Sequence, residues 1–265
     1  MPVAFAIGVH PDDIEFMMAG TLLQLKSRGW ETHYMNVSDG NCGSLEMDSK
    51  KLGRVRTAEA KRAAKVLGAV FHPSIGHDME VVYDLKTVRR LASVVRAVKP
   101  DVVLTHSPFD YMEDHTNTCR MVVTAVFSRN LKNFVTIPPR PHMLGDTVIY
   151  HCMPQGLSDS LRRRVIPGSW VNTTPVQEQK LAALAEHKSQ QNWLDASQKM
   201  NSYMAVMVDF AQRLGKQSKK FKFAEGWRRH LHYAFSSEGS DPLKEALGSD
   251  CIINQKYERD LLKGF

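Results

Sequence analysis

Residues 3–9, VAFAIGV, form an unbroken apolar run with no alternation of polar and apolar side chains. A strand of that kind has to be covered on both faces, as in a parallel sheet lying between two layers of helices. The run VVLT at 102–105 has the same character. Between the two runs, helical and extended patterns alternate. Residues 14–28 carry apolar side chains at Phe16, Met17, Leu22, Leu23 and Leu25 and stop at Gly29, which predicts a helix. A second strand is expected over 31–37, leading into the glycine-rich loop SDGNCGS. Helices are expected over 49–67, closed by Gly68, over 85–98, stopped by Pro100, and over 115–129. A later strand is expected in DTVIYHC. This order predicts an α/β fold with a mainly parallel sheet.

From about Pro175 the pattern changes to two long helical segments, 176–191 and 193–214, followed by the lysine-rich link GKQSKK and an aromatic, histidine-rich tail. The expected organisation is therefore one α/β domain over 1–175 and a helical C-terminal extension over 176–265 packed on it. A chain of 265 residues is long enough to bury a sizeable core without covalent staples. The four cysteines show no CxxC spacing, which argues against a cysteine-rich zinc site or a disulfide framework and fits reduced thiols in a cytoplasm. The first residues have neither a basic segment nor a long apolar one, so no secretory signal is read there. No apolar stretch is long enough for a membrane span. The net charge of +7 comes from scattered lysines and arginines, a pattern of solvated surface, and no nucleic-acid partner is expected.

Two loops carry the chemistry. HPDD follows the first strand, and HSPFDYMEDHTNT, residues 106–118, follows the VVLT strand. Read alone, HPDD is a Pro-Asp turn whose Asp12 or Asp13 caps the next helix, and the second loop is a polar connection with Asp114 as helix N-cap. In a parallel sheet, however, both loops lie at strand carboxyl ends, where ligands bind. Imidazole and carboxylate groups converging there favour a His/Asp/His metal site with positions left open for water and substrate.

HPDD after the first strand, SDGNCG, RTAEAKRAAKVLG, KPDVVLTHSPFDYMEDH and, further on, KLAALAEHKSQ at 180–190 together resemble the PIG-L/LmbE-like family of zinc-dependent N-deacetylases. The resemblance implies a Rossmann-like, three-layer α/β/α fold. It implies that His10, Asp13 and His115 hold Zn²⁺, although such a donor set tolerates other divalent metals. Asp12 would be the general base, Asp114 would support a neighbouring histidine, and His187 would stand at the rim of the site. Arg56 would bind substrate; its alternative is a surface arginine paired with Glu59. Glu225 and Trp227 are expected to shape a rim that contacts sugar. One position departs from the family pattern. Met112 stands where members commonly have a histidine that stabilises the tetrahedral intermediate and protonates the leaving amine, and a thioether does neither. His106, His187 or Tyr111 would have to serve instead. The implied activity is removal of an acetyl group from an N-acetylglucosamine-like small molecule. The alternative is a carbohydrate-binding protein that retains the metal and has little turnover. Family habit also suggests a homo-oligomer.

Overall fold

The computed structural model describes residues 1–198 and 203–263. Its first half alternates β1 (Val3–Gly8), α1 (Asp13–Met17), α2 (Ala19–Lys26), β2 (Glu31–Asn36), α3 (Ser49–Leu67), β3 (Val70–His72), α4 (Leu85–Val98), β4 (Val102–Thr105), α5 (Glu113–Phe127) and β5 (Val148–Cys152). There follow β6 (Ser169–Asn172), α6 (Gln177–Leu184), α7 (Lys188–Gln198), α8 (Tyr203–Ser218), β7 (Ala224–Arg229) and β8 (Cys251–Ile253). All eight strands form one sheet in the order β3-β2-β1-β4-β5-β7-β6-β8. The first five strands run parallel, and β7 pairs antiparallel with both β5 and β6.

The unbroken apolar run of β1 has the expected cause. Ala4 and Ala6 point into one core, and Phe5 and Ile7 into the other. Helices α2, α3, α6 and α8 cover the first face through residues such as Leu22, Ala63, Leu184 and Phe210. Helices α4 and α5 cover the second through Leu91, Val95, Met121 and Val122. Helices α3 and α4 have the bounds the sequence predicts, because each is punctuated by side chains. Asp48 and Asp84 accept from the third following N–H at their N-termini, and Gly68, at φ 65°, closes α3 in the left-handed conformation.

Three expectations are corrected. The extension over 176–265 is not only helical: it threads β7 and β8 into the sheet, with β7 inserted between β5 and β6. The helix expected over 14–28 is broken at Met18. The break has a specific cause. The carbonyl of Phe16 would accept from the N–H of Gly20 in a continuous helix. Instead Lys180 Nζ donates to Phe16 O at 3.1 Å, and Gly20 N–H donates to Glu225 Oε1 at 2.8 Å. Lys180 and Glu225 form a fully buried ion pair at 2.7 Å. Glu225 also accepts from the Thr21 N–H and hydroxyl, both at 2.7 Å. Gly20 is needed for this approach, because a Cβ there would lie 2.3 Å from Thr173 Cγ2. Glu225 and Trp227 are thus core residues of β7, not a sugar-contacting rim.

Residues 199–202 of the second helical segment expected in the extension lie outside the described residues. Among the described residues, no helix is long and apolar enough to cross a membrane.

Removing one partner of a buried ion pair strands the other charge, at about 3–5 kcal/mol. Glu225→Gln should therefore lower the unfolding free energy by about that amount, read from the urea midpoint.

Candidate metal centre

The chain passes from β1 to β2 on one side of the sheet and later returns to β4 on the other. The carboxyl ends of β1 and β4 therefore flank a topological switch point, where a crevice opens. Both chemistry-bearing loops lie there.

After β1 the chain turns through His10 and Pro11. Asp13 Oδ2 accepts from the backbone N–H groups of His10 at 2.7 Å and Val9 at 3.2 Å, and Asn36 donates to His10 O at 2.7 Å. Asp12 takes φ 119°, a strained conformation for a residue with a side chain. The two adjacent carboxylates consequently serve different neighbours. Asp13 faces histidines, whereas Asp12 accepts from the Tyr203 hydroxyl and lies 3.8 Å from the Arg56 guanidinium.

In the second loop α5 begins at Glu113, with Met112 at the N-cap position. Asp114 is therefore not the N-cap. Its Oδ2 lies 3.1 Å from His10 Nε2 and accepts from Met79 N–H at 3.1 Å. Asp110 Oδ2 lies 3.0 Å from His115 Nδ1. This leaves His115 Nε2 buried without a hydrogen-bond partner, 3.4 Å from Asp13 Oδ1. His10 Nδ1 is 3.5 Å from Asp13 Oδ2. Ligand atoms of His10, Asp13 and His115 all fall within 4.8 Å of one another. Metal bonds of about 2.1 Å give tetrahedral edges of about 3.4 Å, so these residues fit a small divalent cation. The orphaned His115 nitrogen points to the same conclusion.

The electrostatics agree with a cation site. Burial alone would lower His10, but hydrogen bonds to Asp114 and Asp13 outweigh it and raise the pKa to about 9. Burial also opposes His115, where Asp13 and Asp110 prevail and raise it to about 10. Asp13 is held well below the usual carboxylate range because His115, His106 and His10 outweigh its burial. Asp12 moves the other way: burial raises it to about 6, against the pull of Arg56. His106 belongs to the support. Val9 N–H donates to its Nε2 at 2.9 Å, so that lone pair is occupied, and burial lowers its pKa.

A cavity of about 380 Å³ opens on this cluster, lined by His10, Asp12, Asp13, Arg56, Met112 and His115 among others. Arg56 is not a surface arginine. It is 3% exposed and donates to Pro11 O at 2.7 Å and Gly40 O at 3.2 Å. Glu59 instead accepts from Ser189. His187 is not at the rim: it is fully buried, 3.4 Å from Glu15 Oε2, behind Asp12. Of the three residues named as replacement proton donors, Tyr111 alone lines the cavity. Burial, with Asp13 and Asp110 nearby, pushes its hydroxyl above the usual phenol range, so it stays a donor. Sequence reasoning missed Tyr203, which belongs to no motif, and Asp78, whose Oδ1 lies 3.9 Å from His10 Nε2. Asp110 stood in the quoted loop, but its position five residues before His115 did not by itself reveal its partner.

A family model described as PIG-L, GlcNAc-PI de-N-acetylase, matches residues 5–126, a span that includes both loops and Arg56. Over that span the chain is similar to the PIG-L/LmbE-like family. It is similar to the diacetylchitobiose deacetylase of Thermococcus kodakarensis, 27% identical over 191 residues that cover 68% of this chain and 67% of that protein. It is equally similar to the 4-oxalmesaconate hydratase of Pseudomonas putida, 28% identical over 192 residues that cover 68% of this chain and 71% of that one. Solved structures of the fold include GalB, the 4-carboxy-2-hydroxymuconate hydratase of P. putida, with TM-score 0.74, 24% identity and coverage of 87% of this chain and 97% of that one. They also include the N,N'-diacetylchitobiose deacetylase of Pyrococcus horikoshii, with TM-score 0.72, 23% identity and coverage of 89% and 87%. The family fold thus accompanies both hydrolytic and hydrating relatives.

Two measurements test the site. Asp13→Ala should abolish metal retention in elemental analysis, and Asp110→Asn should weaken metal affinity about 10–100-fold in chelator competition. In the metal-free protein His10 and His115 hold protons more tightly than the ordinary value of 6.5. Their stabilising contribution is complete below about pH 6.5 and is lost as pH rises through about 9 and 10. Urea unfolding of the metal-free protein should show falling stability across that range, and metal uptake at neutral pH should release protons.

Proposed function

We propose that the chain is a zinc-dependent amidohydrolase that removes an acetyl or other acyl group from the nitrogen of a small, amino-sugar-like substrate. The observation that carries this reading is the pairing of the His10/Asp13/His115 cluster with a separately held carboxylate, Asp12, in one cavity. The deacetylase relative supports the substrate class.

His10, through Nδ1, Asp13 and His115, through Nε2, would hold the metal, which supplies a Lewis acid for the amide carbonyl and a more acidic water. Asp12 takes the proton from the attacking water. Its pKa near 6 leaves it ionised at neutral pH yet basic enough to accept. Tyr203 fixes one carboxylate oxygen of Asp12. Arg56 ties the Pro11 turn to the Gly40 loop and holds positive charge beside Asp12, and it is a candidate to meet a substrate oxygen. Asp114 and Asp110 orient His10 and His115. The collapsing intermediate must still protonate its amine, and Met112 has no proton to give.

That last point favours a second reading: addition of water to an activated carbon–carbon double bond. The same base and metal would serve, and no amine leaving group needs protonation. The hydratase relative supports it.

Acetate release from N-acetylglucosamine and diacetylchitobiose by the zinc-loaded protein tests the first reading. Loss of ultraviolet absorbance from an unsaturated dicarboxylate tests the second. Under the first, Asp12→Asn should keep its metal and lose about 10²–10⁴ in kcat. Met112→His should raise turnover on amides; an unchanged rate would mean that another group already donates the proton.

A further inference from the structure

We propose that the closed end of the cavity is an acyl pocket and that the chain acts on amides with acyl chains longer than acetyl. The inference rests on the amidohydrolase reading and extends it to the substrate.

The cavity has two unlike ends. One is walled by Phe16 and Met17 of α1 and by Tyr203 and Phe210 of α8, with exposures of 9, 4, 2 and 4%. Tyr203 and Phe210 are seven residues apart and so share a face of α8. The ring of Phe16 lies 5.1 Å from that of Tyr203. The other end is edged by Tyr111, 48% exposed, and Met79, 80% exposed, together with the Gln155 side chain. Asp12 stands at the junction, because the Tyr203 hydroxyl donates to it.

These ends sort the two halves of an N-acyl amino sugar. Among the four residues of the closed wall the Tyr203 hydroxyl is the one side-chain O–H or N–H, and it is committed to Asp12, while the Met17 sulfur accepts from Cys152. Sugar hydroxyls placed there would be buried without partners, which costs more than burial returns. A hydrocarbon chain needs no partners and gains from burial. With the amide carbonyl at the His10/Asp13/His115 cluster, the acyl substituent therefore runs between α1 and α8, and the polyhydroxylated amine faces the open rim. Hydrolysis joins the water oxygen to the acyl carbon, breaks the C–N bond, returns a proton to the nitrogen, and yields a carboxylic acid and a free amine.

The test uses zinc-loaded protein and the series N-acetyl-, N-butanoyl-, N-hexanoyl- and N-octanoylglucosamine. Free amine is measured for turnover, and affinity is measured by calorimetry on Asp12→Asn. A buried methylene is worth about fourfold, so kcat/KM should climb by about that factor per methylene until the pocket is full. Met17→Phe should narrow the pocket and lower the hexanoyl-to-acetyl ratio at least tenfold. Phe210→Ala should shift the optimum to a longer chain. Each ratio is taken within one preparation, so a loss of folded protein cancels. If kcat/KM falls with every added methylene while acetyl is released, the acyl pocket is wrong and the amidohydrolase reading stands. If no member is hydrolysed, the amidohydrolase reading fails; affinity that still tightens with chain length then keeps the apolar pocket, and flat affinity removes it as well.

Discussion

The site depends on a wedge driven into a helix. Lys180 from α6 and Glu225 from β7 enter between the carbonyl of Phe16 and the N–H of Gly20 and take over both halves of one helical hydrogen bond. Without them the segment after HPDD could continue as the single helix its sequence suggests. With them it splits, and α1 becomes a five-residue piece whose direction is set by groups some 160 and 200 residues away. That piece begins with Asp13, follows directly on Asp12, and carries Phe16 and Met17 on the cavity wall. A buried ion pair is weak support for stability in general. Here each partner also satisfies a backbone group that the break exposes, and that explains its place in the core.

The remaining chemistry follows from how two adjacent carboxylates are separated. The turn at Asp12 sends its side chain towards Arg56 and Tyr203 while Asp13 remains among His10, His106 and His115. Their acidities move apart accordingly, with Asp13 kept ionised and Asp12 drawn towards neutrality. On the proposed reading, a cation holder and a proton acceptor thus stand side by side without competing. Such a pair would be indifferent to what an activated water attacks, and the relatives of this chain include a deacetylase and a hydratase. On that reading discrimination must come from the cavity around the pair, which Met112, Tyr111 and the apolar wall line.

Much of this was legible in the sequence wherever a local signal existed. The doubly buried strands announced themselves by their lack of alternation, and helices α3 and α4 by their patterns and the stops at Gly68 and Pro100; the caps Asp48 and Asp84 show only in the structure. The family resemblance named His10, Asp13 and His115, which lie in two loops that the topology brings together. What escaped had long-range causes. β3 and β8 are three residues each, and β7 reads AEGWRR; neither length nor periodicity marks such pieces as strands, and only pairing makes them so. The break at Met18 has no breaker residue. Tyr203 reaches Asp12 across 191 residues. His187 was assigned to the rim by resemblance, but it pairs with the buried Glu15. Asp114 looked like a cap and proved to be a neighbour of His10, because the helix starts at Glu113, two residues earlier than a cap at that position would require.

The insertion of β7 between β5 and β6 also constrains the order of assembly. Residues 148–152 emerge from the ribosome long before their neighbour at 224–229, and β6 has no partner in the sheet until that neighbour arrives. The nascent chain must carry an open strand edge through the synthesis of more than seventy residues, and Glu225 reaches the gap after Gly20 only on the same strand. The HPDD turn is therefore encoded first and finished late, so truncated translation products would display its histidine and carboxylates without fixing their geometry.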